Sequence, residues 1–212
     1  MKAPQFLISL AAMSGVIYPM MVPGAARAAD KHIAVAEAGA VVDFWREAGP
    51  ALWFAKDVAF DRRFRDRFLL LHEAAARGEL SGWLATADGA LALLVLLDQF
   101  SRNAFRGTPR MYATDALARQ VAHRAIEAGH DRAVDEQLSL FFYLPFAHSE
   151  DLADQERSVA LARRLAPPNP AHAERHRDII RRFGRFPHRN PILGRSMTEE
   201  EKRYLAEGGY AG

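Results

Sequence analysis

The chain contains no cysteine. Disulfides, thiolate nucleophiles, iron–sulfur clusters and cysteine-ligated zinc are therefore excluded. Lysine is almost as scarce, with Lys2, Lys31, Lys56 and Lys202 the only four. Arginine supplies the rest of the 28 basic residues, and these balance 26 acids to a net charge of +2. That balance excludes a histone-like basic tail and an acidic solvating chain alike. There is no glycine-rich phosphate loop and no Gly-x-Ser-x-Gly elbow, so the nucleotide-binding and serine-nucleophile classes lack their usual signals. No stretch alternates convincingly as a strand, and no repeat recurs at a fixed period. What is present is 212 residues, half of them hydrophobic and a quarter charged. Such a chain can bury a core in one domain or at most two.

The first thirty residues do not read as part of that core. Lys2 is followed by an apolar stretch from Phe6 to Val22, interrupted by Ser9, Ser14, Gly15 and Pro19. Pro23-Gly24 and the small-x-small site Ala26-Arg27-Ala28 come next. This order predicts a signal peptide over residues 1–28, removed after Ala28 or Ala29, and a mature domain over 30–212. The run is short for a spanning helix, which needs about 20 clean apolar residues. The expectation is a periplasmic or secreted protein with no membrane partner once processed. An uncleaved anchor, or a mis-called start codon and a cytoplasmic protein, are the alternatives.

From Asp30 onward the pattern is helical. Asp57 caps a helix running to about Arg77, with Phe60, Phe64, Phe68, Leu71 and Ala75 along one face. Asp88-Gly89 opens a helix whose run Ala90 to Leu97 is apolar all round, which predicts a central, buried position. Further helices are predicted from Thr114 or Asp115 to Gly129, from Asp131 to about Tyr143 with Pro145 closing it, and from a Ser149 cap to Pro167-Pro168. Another runs from an Asn169-Pro170 start to about Phe183, stopped by Gly184. Thr198 and Glu201 form a capping box for a short final helix. Short links between helices favour antiparallel neighbours, so the expected fold is all-α, a single compact domain of stacked antiparallel helical hairpins.

Three segments break the amphipathic pattern. In the first, Asp98 and Arg102 stand four apart on one helix face, acid first, at the end of the most apolar helix. A charge there must be paired or used, so the pair is either structural or ligand-facing. In the second, aromatic residues lead through Pro145 to His148, Ser149, Glu150 and Asp151. His148 reads as a general acid or base with Glu150 or Asp151 orienting its ring, or as a helix-cap histidine packed beside aromatics. In the third, His172 to Arg195 holds seven arginines against Glu174 and Asp178. Arg182, Arg185 and Arg189, with Asn190, read as a small-anion site, or as clamps that hold an irregular tail to helix ends and acids. The basic run is too short, and the rest of the chain too acidic in balance, for a nucleic-acid partner.

Together these segments resemble the DUF924 family of bacterial proteins. The resemblance rests on LLDQFSRN with FRG, on FFYLPFAHSEDLADQ, and on RFGRFPHRNPILGR followed by TEEE. Asp43-Phe44-Trp45, Trp53-Phe54-Ala55-Lys56 and Phe60-Asp61 belong to it too, so it spans about Val41 to Glu207. It implies a tetratricopeptide-like fold of helical hairpins and no known reaction. The family's polar motif positions fall on Asp98, Gln99, Arg102, Asn103, Arg106, His148, Glu150, Gln155, His176, Arg182, Arg185, Arg189, Asn190 and Arg195. Family members usually begin near the Asp-Phe-Trp segment, so the apolar front of this chain is a departure.

The functional expectation is a pocket for a small anionic molecule bearing a carboxylate or phosphate. Asp98, His148, Glu150 and His176 would do acid–base chemistry there, and Arg102, Arg182, Arg185, Arg189 and Asn190 would bind the ligand. Asp98, Arg102, His148, Glu150, His176, Arg182, Arg185 and Arg189 are expected to converge in space. No cofactor and no metal is expected, with metal-assisted hydrolysis by His148, Glu150 and His176 second. The alternative is a tetratricopeptide-like scaffold that binds peptides or proteins and whose charged motifs are structural. The residue pattern sets no oligomeric state.

Overall fold

The computed structural model describes the backbone of residues 23–212 and the side chains from Glu37 onward. The expected signal peptide, residues 1–28, lies outside the described residues except for the backbone from Pro23. The described chain is all helix and turn. The helices are α1 (Pro23–Trp53), α2 (Val58–Ala76), α3 (Ala87–Leu94), α4 (Ser101–Ala104), α5 (Asp115–Glu127), α6 (Glu136–Ala147), α7 (Leu152–Ala162), α8 (Asn169–Phe183) and α9 (Glu199–Ala206). Among the described residues there is no strand. No described helix is long and apolar enough to cross a membrane.

The central element is the one the apolar run predicts. Residues Gly89 to Phe100 are all buried, and α3 packs against α1, α5 and α6. One large core surrounds it, in which Phe60, Phe64 and Phe68 of α2 meet Phe44 and Trp45 of α1. The cap of α3 is Thr86 rather than Asp88, because the Thr86 hydroxyl accepts the Gly89 N–H at 3.1 Å. Gly89 permits that tight entry: a Cβ there would fall 2.1 Å from the Trp83 carbonyl oxygen.

α3 does not end where its apolar run ends. It passes through a π turn, Val95–Phe100, into α4. Such turns release carbonyls from the regular ladder, and side chains take them up here. His72 Nδ1 lies 3.0 Å from the Leu96 carbonyl, while Ser101 Oγ donates to Leu97 at 3.1 Å and Thr114 Oγ1 also donates to Leu97. The turn holds Asp98 and Gln99 inside the protein, 1% and 4% exposed.

Other boundaries differ from expectation for local reasons. Asp131 starts no helix. It is buried, accepts the Tyr143 hydroxyl at 2.9 Å, and α6 begins at Glu136. Pro145 lies inside α6, which continues to Ala147. Asp151, not Ser149, caps α7, accepting from Ala153 N at 2.8 Å and Asp154 N at 3.2 Å. Glu150 is thereby left ahead of the helix rather than in its first turn. Asn169 is the first residue of α8, and Gly184 ends that helix in the left-handed region (φ 68). The Thr198–Glu201 capping box forms as expected. A separate small cluster of Ile179, Ile180 and Phe186, with Phe183, Tyr204 and Tyr210 against it, joins α8 and α9 to the irregular segment between them.

Candidate functional site

The π turn, the α6–α7 junction and the segment after α8 meet at Asp98. One oxygen of its carboxylate lies 2.8 Å from His148 Nδ1 and 3.1 Å from the Arg102 guanidinium. The other accepts from Gln99 Nε2 at 2.6 Å. A carboxylate only accepts, so His148 donates through Nδ1 and its neutral ring carries a free lone pair at Nε2. Burial works against the ionised Asp98, but Arg102 and then His148 outweigh it and hold the carboxyl well below its ordinary range. Burial, and then Arg102, push the His148 ring down from its ordinary value, while Asp98 opposes them. His148 is thus neutral near neutral pH, and its side chain is 15% exposed.

Two residues outside the expected set complete the site. Asp115, at the start of α5, takes both arms of Arg102 at 2.8 and 3.0 Å and lies 3.6 Å from Arg189. Tyr112 lies under Arg189, whose guanidinium carbon is 4.6 Å from the Tyr112 ring centroid and 4.5 Å from that of Phe186. Arg189 is only 7% exposed, and it donates to the His148 carbonyl at 2.9 Å. Its Nε is buried without a partner. Two cations therefore share one carboxylate, Asp115, beside a neutral histidine.

His176 and His188 adjoin this group. Burial pushes both down, His176 to about 3 and His188 to about 4. The positive charge of Arg189 pushes in the same direction on each. Their Nδ1 atoms are also buried without partners.

The remaining expected residues stand elsewhere. Glu150 is held by Arg195 at 2.6 and 2.9 Å and by the Phe186 N–H at 2.8 Å, so Asp98 and not Glu150 orients His148. Arg185 grips Glu201 with two bonds, 2.6 and 2.8 Å, and donates to the Ser196 carbonyl at 2.9 Å. Asn190 donates to the same Glu201 at 3.2 Å. Arg182 is exposed and pairs with Glu200 at 2.9 Å. The three arginines, at least two of which are expected on one anion, are thus divided, because the acidic first turn of α9 supplies carboxylates that claim Arg182 and Arg185. Of the expected set, Asp98, Arg102, His148, His176 and Arg189 come together.

Other motif positions are architectural. Gln155 donates to the Ala147 and Ser149 carbonyls at 2.8 and 2.7 Å, closing the end of α6. Asn103 and Arg106 both grip Asp61. Among the described residues, no three histidine, aspartate or glutamate side chains are grouped so as to hold a metal ion. The trio His148, Glu150 and His176 fails because Glu150 is turned to Arg195.

No curated protein matches the chain. A solved structure, "Structure of Protein of Unknown Function ATU0120 from Agrobacterium tumefaciens", is similar at 59% identity with a TM-score of 0.81. The match covers 82% of this chain and 99% of that one. The family model described as "Bacterial protein of unknown function (DUF924)" matches residues 41–209. That span takes in every residue of the Asp98 group, and the chain belongs to the DUF924 family.

Proposed function

We propose that the Asp98–His148 pair, with Arg102 and Arg189 beside it, binds a small carboxylate- or phosphate-bearing molecule and does acid–base chemistry on it. The observation that carries this reading is the 2.8 Å contact between buried Asp98 and His148 next to an incompletely paired, buried Arg189. Asp98 fixes the ring tautomer, so His148 Nε2 is the atom that takes a proton from a ligand and returns it. The guanidinium of Arg189, with Nε unpartnered, supplies a charge-assisted donor to the ligand's anionic group. Arg102 is saturated by Asp98 and Asp115, so it sets the local potential and positions Asp98. The fold around the site reads as stacked helical hairpins of tetratricopeptide-like kind, which the packing of α5 on α6, α6 on α7 and α7 on α8 supports.

Thermal melts with acetate, benzoate and phosphate test the reading. Wild type is expected to melt higher with an anion, and Arg189→Ala to lose that response. Arg185→Ala is expected to melt lower than wild type, because Glu201 loses its main partner, yet to keep the anion response. Loss of the response in Arg185→Ala but not in Arg189→Ala would reverse the assignment. No response in wild type would favour the peptide-binding scaffold. For that reading the specific observation is a cleft of about 710 Å³ between α2 and α4, lined by Arg62, Arg65 and Arg67 with exposed Val58 and Leu70.

A further inference from the structure

After α9 the chain turns back on itself. Gly208 takes a left-handed conformation (φ 84), and Gly209 N and Tyr210 N each bond Tyr204 at 2.9 Å, to its carbonyl and hydroxyl oxygens. This places the Tyr210 ring in a cradle of aromatic residues. Its centroid lies 4.7 Å from His176, 5.1 Å from His188 and 6.4 Å from Phe186, with the His188 ring edge-on at 84°. Gly212 follows beside the His188 ring. Burial raises the Tyr210 phenol while Arg189 and Arg102 oppose it, and Arg189 lies 4.5 Å from the Phe186 ring that Tyr210 also faces, so the ring adjoins the Asp98 group.

The occupant does not satisfy its cradle. The Nδ1 atoms of His176 and His188 and the Nε of Arg189 are buried and unpartnered with Tyr210 in place. The Tyr210 hydroxyl forms no hydrogen bond among the described residues. Two of these atoms belong to the rings beside Tyr210 and the third to Arg189, which lies against Phe186 of the same cradle at 4.5 Å, whereas buried polar groups are nearly always bonded. A neutral imidazole nitrogen can donate or accept according to tautomer, and the Arg189 Nε–H only donates. A ligand with a ring where Tyr210 lies and with acceptor oxygens beside it would satisfy what the tyrosine leaves open.

We propose that the cradle of His176, Phe186 and His188 is an aryl subsite of the Asp98–His148 site, occupied in the resting protein by the chain's own Tyr210. The ligand class is an aromatic ring carrying an anionic group. The ring replaces Tyr210 and the anion meets Arg189. The inference rests on the anion reading of the Asp98 group and adds the ring. Gly208, in the left-handed region (φ 84), turns the chain into the strap, and two bonds to Tyr204 are the strap's described polar anchors. A tethered occupant weakens any competing ligand by the fraction of time that it holds the site.

Calorimetric titration of the full chain tests this with 4-hydroxybenzoate and phenyl phosphate as aryl probes, and acetate and inorganic phosphate as plain ones. The proteins are wild type, Tyr210→Ala and Gly209→Ala. A Cβ at Gly209 would fall 2.5 Å from the Tyr204 carbonyl and ring, so the last substitution lifts the strap without deleting the tyrosine. Both variants are expected to bind the aryl probes at least about tenfold more tightly than wild type. Acetate and phosphate should change far less. Far-UV circular dichroism confirms that both variants fold. Equal aryl affinity in all three folded proteins overturns the proposal, as does an equal gain for acetate and 4-hydroxybenzoate. Binding of plain anions with no aryl preference overturns the subsite alone. Binding of no anion by any of the three proteins overturns the anion reading, and the subsite with it.

Discussion

Replacing Asp98 by alanine is expected to cost about 3–5 kcal/mol of folding stability, the range for removing one partner of a buried ion pair. The cause is what stays behind. Arg102 keeps Asp115 but loses its nearest buried carboxylate, and the Gln99 amide and His148 Nδ1 lose their acceptor inside the protein. Asp98 lies on a π turn whose six residues are all buried, so water cannot enter easily to replace it. For a chain of this size the change amounts to a fall of roughly 10 °C in Tm. Urea denaturation of wild type and Asp98→Ala measures it. A loss below about 1 kcal/mol would mean that the pair behaves as a surface salt bridge, against the burial seen here.

The second large effect is acid sensitivity, and its sign follows from the histidines. His176 is held at about 3 and His188 at about 4, while each titrates near 6.5 when unfolded. His148 is lowered too. The folded state therefore binds fewer protons than the unfolded one between pH 6.5 and 4, and acid favours unfolding. This stability is complete above pH 6.5 and is lost as pH falls toward the folded values. At pH 5 each of the two more strongly lowered histidines has forfeited about 2 kcal/mol, at about 1.4 kcal/mol per pH unit. The lowered carboxyls of Asp98, Glu150 and Glu201 add their own loss only in more acid solution, below the ordinary carboxylate range. Denaturation midpoints measured from pH 7.5 to 4.5 check this. A steep fall beginning near pH 6.5 is expected, and it should flatten in the His176→Gln, His188→Gln double variant. A flat profile in wild type would place both rings in water.

Much of this architecture is legible before folding because it is local. The Asp57 cap, the Thr198–Glu201 box, the Gly184 stop and the all-apolar run into Leu97 each state their own consequence. The family match was legible from the three long motifs for the same reason. What the residues do not state is which of two neighbours wins. Thr86 and Asp88 both suit a cap, as do Ser149 and Asp151, and three-dimensional fit chooses Thr86 and Asp151. Asp131 looks like a helix opener, and its burial is explained by Tyr143 twelve residues later and by Arg164, which both reach its carboxylate.

Charge pairing is the least legible part. The pattern from His172 to Arg195 shows a surplus of arginine, but the carboxylates that absorb Arg182 and Arg185 lie in the first turn of α9, beyond the segment. Asp115 reads as an ordinary first-turn acid, and nothing in its neighbourhood announces that two arginines from separate motifs will meet on it. The i, i+4 pair Asp98–Arg102 was legible, whereas the His148 contact fifty residues away needed the fold. Tyr210 carries no sequence signal at all, since a lone tyrosine after two glycines suits any exposed tail.

The central claim is that an anion sits on Arg189 within reach of the His148 ring. The most direct measurement is the titration of that ring by NMR, using isotope-labelled histidine and assignment through His148→Gln. An anion beside an imidazole favours its charged form and raises its pKa. Saturating benzoate or phosphate is expected to move the His148 midpoint upward by at least about half a unit in wild type and to leave it unmoved in Arg189→Ala. A His148 midpoint that ignores the anion, or that moves equally with and without Arg189, would contradict the account.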